Sequence, residues 1–177
     1  MKGRIPDIID PIRLAKRGEY LVGQMDLRGM DRLLSMLVSA QGMLDVQLAF
    51  DIDNAGIRNI RGQIATDVTV RCQRCLGPMD YALEADVMLG IIKHRDQADK
   101  LPDCYEALLI EMDEVSLRAI VEDELILAMP ATPVHNEDEC QSIDAYTKQE
   151  IDTLDKTERK NPFAVLADLK QELKDKK

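Results

Sequence analysis

The chain has no tryptophan, only two phenylalanines and four tyrosines among 177 residues, and just two histidines. An interior built from this set must be aliphatic, with nine methionines as adaptable filler. A surface poor in aromatic rings also disfavours the base-stacking platforms that grip single-stranded nucleic acid. No stretch reaches the ~20 apolar residues of a membrane-spanning helix. The nearest, LILAMPATPV from Leu125, is short and holds two prolines. The opening MKGRIPDIIDPIRLAKRGE interrupts any apolar run with Asp and Pro, so no secretory leader is expected and a cytoplasmic location is. In that reducing compartment the four cysteines stay thiols. This argues against a disulfide framework and leaves metal ligation, reactive thiols or simple burial. A glycine-rich phosphate loop, a G-x-S-x-G elbow and an H-E-x-x-H helix are missing too, so neither an enzyme nor a small-molecule substrate is expected.

What is present is charge, unevenly placed. Residues 1–100 hold 14 Lys and Arg against 14 Asp and Glu, whereas residues 101–177 hold 9 against 19, which carries the whole net charge of −10. A balanced, arginine-bearing half can touch nucleic acid, while an acidic half repels phosphate and attracts a basic protein. The alternative is an acidic surface that only maintains solubility.

Three successive segments alternate with period two. In LDVQLAFDI, Leu44, Val46, Leu48, Phe50 and Ile52 share a face opposite Asp45, Gln47 and Asp51. After the turn DNAG, Ile60, Ile64, Val68, Val70 and Cys72 lie opposite Arg61, Gln63, Asp67, Thr69 and Arg71. Tyr81, Leu83, Ala85, Val87, Leu89 and Ile91 then alternate with Asp80, Glu84 and Asp86. Such alternation predicts half-buried strands, and the short connections predict an antiparallel meander. Gly62 suggests a bend or bulge in the second strand. EYLVGQM near Glu19 and YEALLI near Tyr105 are further candidate strands.

Helices flank them. GMDRLLSMLVS places Met30, Leu33, Leu34, Leu37 and Val38 on one stripe. DEVSLRAIVEDELILAM does so with Leu117, Ile120, Val121, Leu125 and Ala128, with Ser116 as N-cap and Pro130 as stop. The fold class expected is α+β, an antiparallel β-meander packed on one face by helices, over residues 1–140. A polar linker follows over 141–160, rich in Asp, Glu, Lys and Thr. A C-terminal amphipathic helix is expected over 161–177, with Asn161 as N-cap, Pro162 at its first position and Phe163, Leu166, Leu169 and Leu173 in a stripe.

The stretch TVRCQRCLGPMDY carries two thiols three residues apart, Cys72 and Cys75. As a redox dithiol it lacks the helix N-terminus that lowers a thiol pKa, because it lies between two strands, although Arg71 and Arg74 are close in sequence. As half of a zinc knuckle it needs two further ligands. His135 and Cys140, together in PATPVHNEDEC, complete a Cys3His set for a structural zinc. The run Glu137, Asp138, Glu139 counts against it, by adding negative charge around thiolates. The plain alternative is a tight turn with inert thiols. Cys104 in LPDCYEALL reads as packed and His94 in KHRDQ as a solvated loop residue. The consecutive carboxylates Glu122, Asp123 and Glu124 point in different directions around a helix and make no acid/base pair. Glu124 lies beside the apolar stripe, where it would pair with Arg71 or Arg74 or edge a binding surface.

The segments IDPIRLAKRGE, VRCQRCLGPMDY, LPDCYEALLIEMDEVSLRAIVEDELILAMPATPVHNEDEC and NPFAVLADLK together resemble the YceD family, over about Ile9 to Lys170. The resemblance implies a cytoplasmic ribosome biogenesis factor that supports 23S ribosomal RNA accumulation and large-subunit assembly, with no established enzymatic activity. Two ligands are then in play. Ribosomal RNA would meet Arg58, Arg61, Arg71 and Arg74 through phosphate contacts. A basic ribosomal protein would meet the acidic half at Glu122, Asp123 and Glu124, with Phe163 and Leu166 as anchors on a partner arm. The reading from another class is a thiol-redox protein using Cys72 and Cys75.

Overall fold

The structure is a computed structural model, and it describes residues 3–39, 42–136 and 139–140. The linker 141–160 and the end helix 161–177, with Phe163 and Leu166, lie outside the described residues. The strands are β1 (Gly3–Arg4), β2 (Ile8–Ile9), β3 (Tyr20–Asp26), β4 (Met43–Ile52), β5 (Arg58–Arg71), β6 (Pro78–Ile92), β7 (Glu106–Leu109) and β8 (Val115–Ser116). The α-helices are α1 (Pro11–Arg17), α2 (Asp31–Leu34) and α3 (Leu117–Ala128), and a 3-10 turn spans Arg95–Lys100.

The period-two segments form the body of one open six-stranded sheet, ordered β1-β3-β4-β5-β6-β7. β3 to β6 are antiparallel neighbours, so the expected meander is present. The two outermost strands, β1 and β7, pair parallel to theirs. Inner-face residues Leu44, Val46, Leu48, Phe50, Ile60, Ile64, Leu83 and Val87 are all at most 2% exposed. They join the apolar sides of the helices in a single aliphatic core. Ile52, assigned by pattern to the same face, is 39% exposed, because the core face ends with Phe50.

The β5 ladder runs without a bulge past Gly62, which sits opposite Leu48 and Val87. Gly62 is needed instead for close approach. Its φ is +156°, and a Cβ there would lie 1.9 Å from the Gln47 carbonyl oxygen.

The helices differ more from the pattern. α1 was not read from sequence, although Asp10 caps it through the Arg13 amide, Pro11 opens it and Gly18 closes it in a left-handed conformation. Its seven residues lay below the length at which a 3.6 period becomes visible. α2 is only four residues where a longer helix was expected. The chain leaves it so that the Val38 amide can donate to the Thr69 carbonyl and Ser39 can bridge to Thr69. α3 matches its expected stripe, with Ser116 capping the Ala119 amide.

Arg118 on α3 donates to Asp7 and to the carbonyls of Asp26 and Arg28, tying the N-terminal segment to the helix. Cys104 is exposed, not packed. Residues 102–105 form a turn, with the Tyr105 amide donating to the Pro102 carbonyl, so alternation starts only afterwards. Tyr105 turns inward in its place, beside Gly90, and its hydroxyl donates to Asp53. His94 is exposed, as expected. Among the described residues no helix is long and apolar enough to cross a membrane.

Candidate metal centre

The β5–β6 ladder ends at the pair Arg71 and Pro78, leaving six residues, 72–77, to turn the chain. The Cys72 amide donates to the Gly77 carbonyl, and the Leu76 amide to the Cys72 carbonyl. This tight loop forces Leu76 to φ +60°, a conformation that costs a non-glycine residue ~1–2 kcal/mol. Its return is that both thiols point to one side.

Residues 133–136, after α3, dock on this tip. The Gln73 amide donates to the Pro133 carbonyl, and the Arg74 guanidinium to the His135 carbonyl. The amides of Glu139 and Cys140 both donate to the Asn136 carbonyl, turning the chain so that Cys140 comes back to the tip. The second ligand pair was read from residue type and from its close spacing just after the long helix; the hydrogen bonds that seat it come only with the fold.

The ligand atoms of Cys72, Cys75, His135 and Cys140 lie within 4.8 Å of one another. Cys72 and Cys140 sulfurs are 3.9 Å apart, and the Cys75 sulfur is 3.4 Å from His135 Nδ1. A tetrahedral zinc with ordinary bond lengths needs about 3.8 Å between two sulfurs and about 3.6 Å between sulfur and nitrogen. All four cysteines of the chain are free thiols. His135 Nε2 lies 3.1 Å from the Pro78 carbonyl, which can only accept. Nε2 therefore carries the proton and Nδ1 turns its lone pair toward the sulfurs, as a metal-bound histidine requires.

Electrostatics split the thiols. Burial opposes ionisation of Cys72, but the amides of Cys75, His135 and Arg74, with the Cys75 thiol, hold its pKa down at about 5. Burial and the neighbouring Cys75 and Cys72 sulfurs push Cys140 up to about 11. A cation at the centre of the set replaces that mutual repulsion with attraction. The donor set, its spacing and the fixed tautomer therefore fit a zinc ion. Of the acidic run, Glu139 is exposed, and Glu137 and Asp138 lie outside the described residues.

The other candidate residues are dispersed. Arg71 and Arg74 flank the metal centre, whereas Arg58 and Arg61 sit at the other end of β5, about 43 Å away at 3.3 Å per residue for Arg58 to Arg71. Arg61 pairs with Asp51 at 3.3 Å. The outer sheet face between them carries Asp67, Asp80, Glu84 and Asp86, all exposed.

On α3 the inward carboxylate is Glu122, 6% exposed, and not Glu124. Glu122 Oε1 accepts the amides of Arg32 and Leu33 at 2.8 and 3.1 Å, and Oε2 accepts Arg32 Nη2 at 2.7 Å. Glu122 thus caps α2 from another helix, since Met30 provides no side-chain cap. Asp123 pairs with Arg32 at 2.5 Å. Glu124 meets neither Arg71 nor Arg74. Burial and the nearby charges of Glu106 and Asp123 raise its pKa.

Comparison with known proteins places these residues in context. The family model described as large ribosomal RNA subunit accumulation protein YceD matches residues 60–170, which include both ligand pairs. A curated protein of the same description from Haemophilus influenzae is 35% identical over 173 residues, covering 96% of this chain and 98% of that protein. No solved structure matches the chain.

Proposed function

This chain belongs to the YceD family of large ribosomal RNA subunit accumulation proteins, and from that premise we propose that it supports 23S ribosomal RNA accumulation in the cytoplasm. It does so by binding ribosomal RNA or a basic ribosomal protein during large-subunit assembly. The observation that carries this reading is kinship with the Haemophilus influenzae protein over nearly the full length of both chains. A zinc held by Cys72, Cys75, His135 and Cys140 plays a structural part. Four protein donors close a tetrahedral shell and leave no position for a substrate. When bound, the ion supplies a cross-link between the hairpin tip and the segment after α3.

The two ends of β5 bear on the choice of ligand. Arg71 and Arg74, beside the metal centre, form the cationic spot best placed for a phosphate. The acidic sheet face favours a basic protein. The lowered pKa of Cys72 favours a thiol enzyme, but Cys72 is fully buried, and its amide donors equally suit a metal-bound thiolate.

The test is depletion of the protein in growing cells with measurement of 23S against 16S ribosomal RNA, followed by ultraviolet cross-linking of the tagged chain. A fall in 23S RNA restored by the wild-type chain is expected, with cross-links to 23S precursor or to a large-subunit protein. An unchanged ratio overturns the proposal.

A further inference from the structure

Between β7 and α3 runs an open groove of about 340 Å³. Leu108, Ile120 and Leu127 contribute to its floor, and Leu127 is 70% exposed although it is a leucine in the middle of a helical turn. Among the described residues β7 is the edge of the sheet, hydrogen-bonded only to β6. Apolar side chains of a helix and of a strand with one free edge thus line the same groove without a cover among the described residues.

The rim has one sign. Among the described residues Glu106, Asp123 and Glu124 line the groove against a single cation, Arg32, which is already committed to Glu122 and Asp123. Among the described residues Glu106 and Glu124 have no cationic partner. Partial burial and the charges of Glu106 and Asp123 disfavour ionisation of Glu124, and a lysine or arginine placed between these carboxylates relieves that cost. A phosphate in the same place increases it.

We propose that this groove takes a lysine- or arginine-bearing apolar segment of a protein partner, its aliphatic side chains on Leu108, Ile120 and Leu127 and its cations against Glu106 and Glu124. This deepens the reading of the chain as a binding factor and rests on it only for the source of the partner. Desolvation of the aliphatic contacts supplies affinity, and the carboxylates set orientation and reject anionic chains.

The probe is a short fluorescein-labelled peptide of leucine and lysine, titrated into the full chain by anisotropy. Three comparison ligands accompany it: the same peptide with glutamate for lysine, the same with serine for leucine, and an oligouridylate RNA. The leucine–lysine peptide is expected to bind and the other three to bind at least about tenfold more weakly. Leu127→Ser should weaken it about tenfold, the loss of one leucine contact with no change of charge, without altering the circular dichroism spectrum. Glu106→Gln with Glu124→Gln should weaken it too and flatten its salt dependence.

Equal binding of the serine version, insensitivity to Leu127→Ser, or RNA binding that Leu127→Ser abolishes overturns the proposal. Ribosomal RNA levels separate this from the family function. Failed peptide binding beside normal restoration of 23S RNA by the wild-type chain removes the groove and leaves that function standing. Peptide binding as described, in a chain whose depletion leaves 23S RNA unchanged, does the reverse.

Discussion

Replacing Glu122 by alanine removes an acceptor that serves three donor groups at the junction of α2 and α3. The Leu33 amide is buried and Leu33 itself is 0% exposed, so its N–H is left without a partner, at ~1–3 kcal/mol. The Arg32 amide loses its acceptor in a half-buried setting. The Arg32 guanidinium, on a side chain 56% exposed, returns to water and keeps Asp123, so loss of its ion pair adds no more than ~1 kcal/mol. The total expected for Glu122→Ala is about 3 kcal/mol. Glu122→Gln keeps an oxygen for both amides but loses the charge and the second oxygen that accepts the exposed Arg32 guanidinium, so about 1 kcal/mol is expected.

The difference also has a pH signature. Burial works against the Glu122 carboxylate, but the Arg32 guanidinium and the Leu33 and Arg32 amides outweigh it and lower the folded pKa. The unfolded chain takes up this proton first as acid is added. The stabilisation is therefore complete above the unfolded glutamate pKa, about 4.3, and is lost as pH falls through the lower folded value. Urea unfolding followed by circular dichroism at pH 7 and at pH 3 measures both effects. The wild type should lose stability relative to Glu122→Gln over that interval. A loss below 1 kcal/mol for alanine at pH 7, or equal losses for alanine and glutamine, refutes the clamp.

Three further outcomes are expected. The chain purified without chelator should contain one zinc by atomic emission; Cys75→Ser or Cys140→Ser should lose most of it, and EDTA should lower the Tm of the wild type but not of those variants. Gly62→Ala should cost at least ~3 kcal/mol in urea unfolding, because a Cβ 1.9 Å from the Gln47 carbonyl oxygen forces β4 and β5 apart; a cost below 1 kcal/mol would show that the ladder gives way easily. Iodoacetamide should modify Cys104 in the native protein while buried Cys72 and Cys75 react only after metal removal and unfolding, as mass spectrometry of digests reports; rapid native modification of Cys72 would revive the thiol enzyme.

The sheet was legible because its signal is local. Alternation along β4, β5 and β6 states which side chains face the core, and short connections leave antiparallel pairing as the only choice. The metal ligands were legible through residue type, since few side chains bind zinc and the chain has few of them. α3 was legible through its period of 3.6 and its cap. What the tertiary structure alone decided depends on partners distant in sequence. β1 and β7 became parallel edges through pairings that no local pattern encodes. α2 stopped after one turn because Ser39 found Thr69. Among three adjacent carboxylates on one helix, Glu122 turned inward because two amides and a guanidinium 90 residues away were waiting for it. Glu124, one residue beyond the next, was left facing an apolar groove of its own sign. Helical geometry separates neighbouring residues by about 100°, so sequence adjacency says little about shared surroundings. Which carboxylate stabilises the fold and which remains free to bind is fixed only when the elements pack.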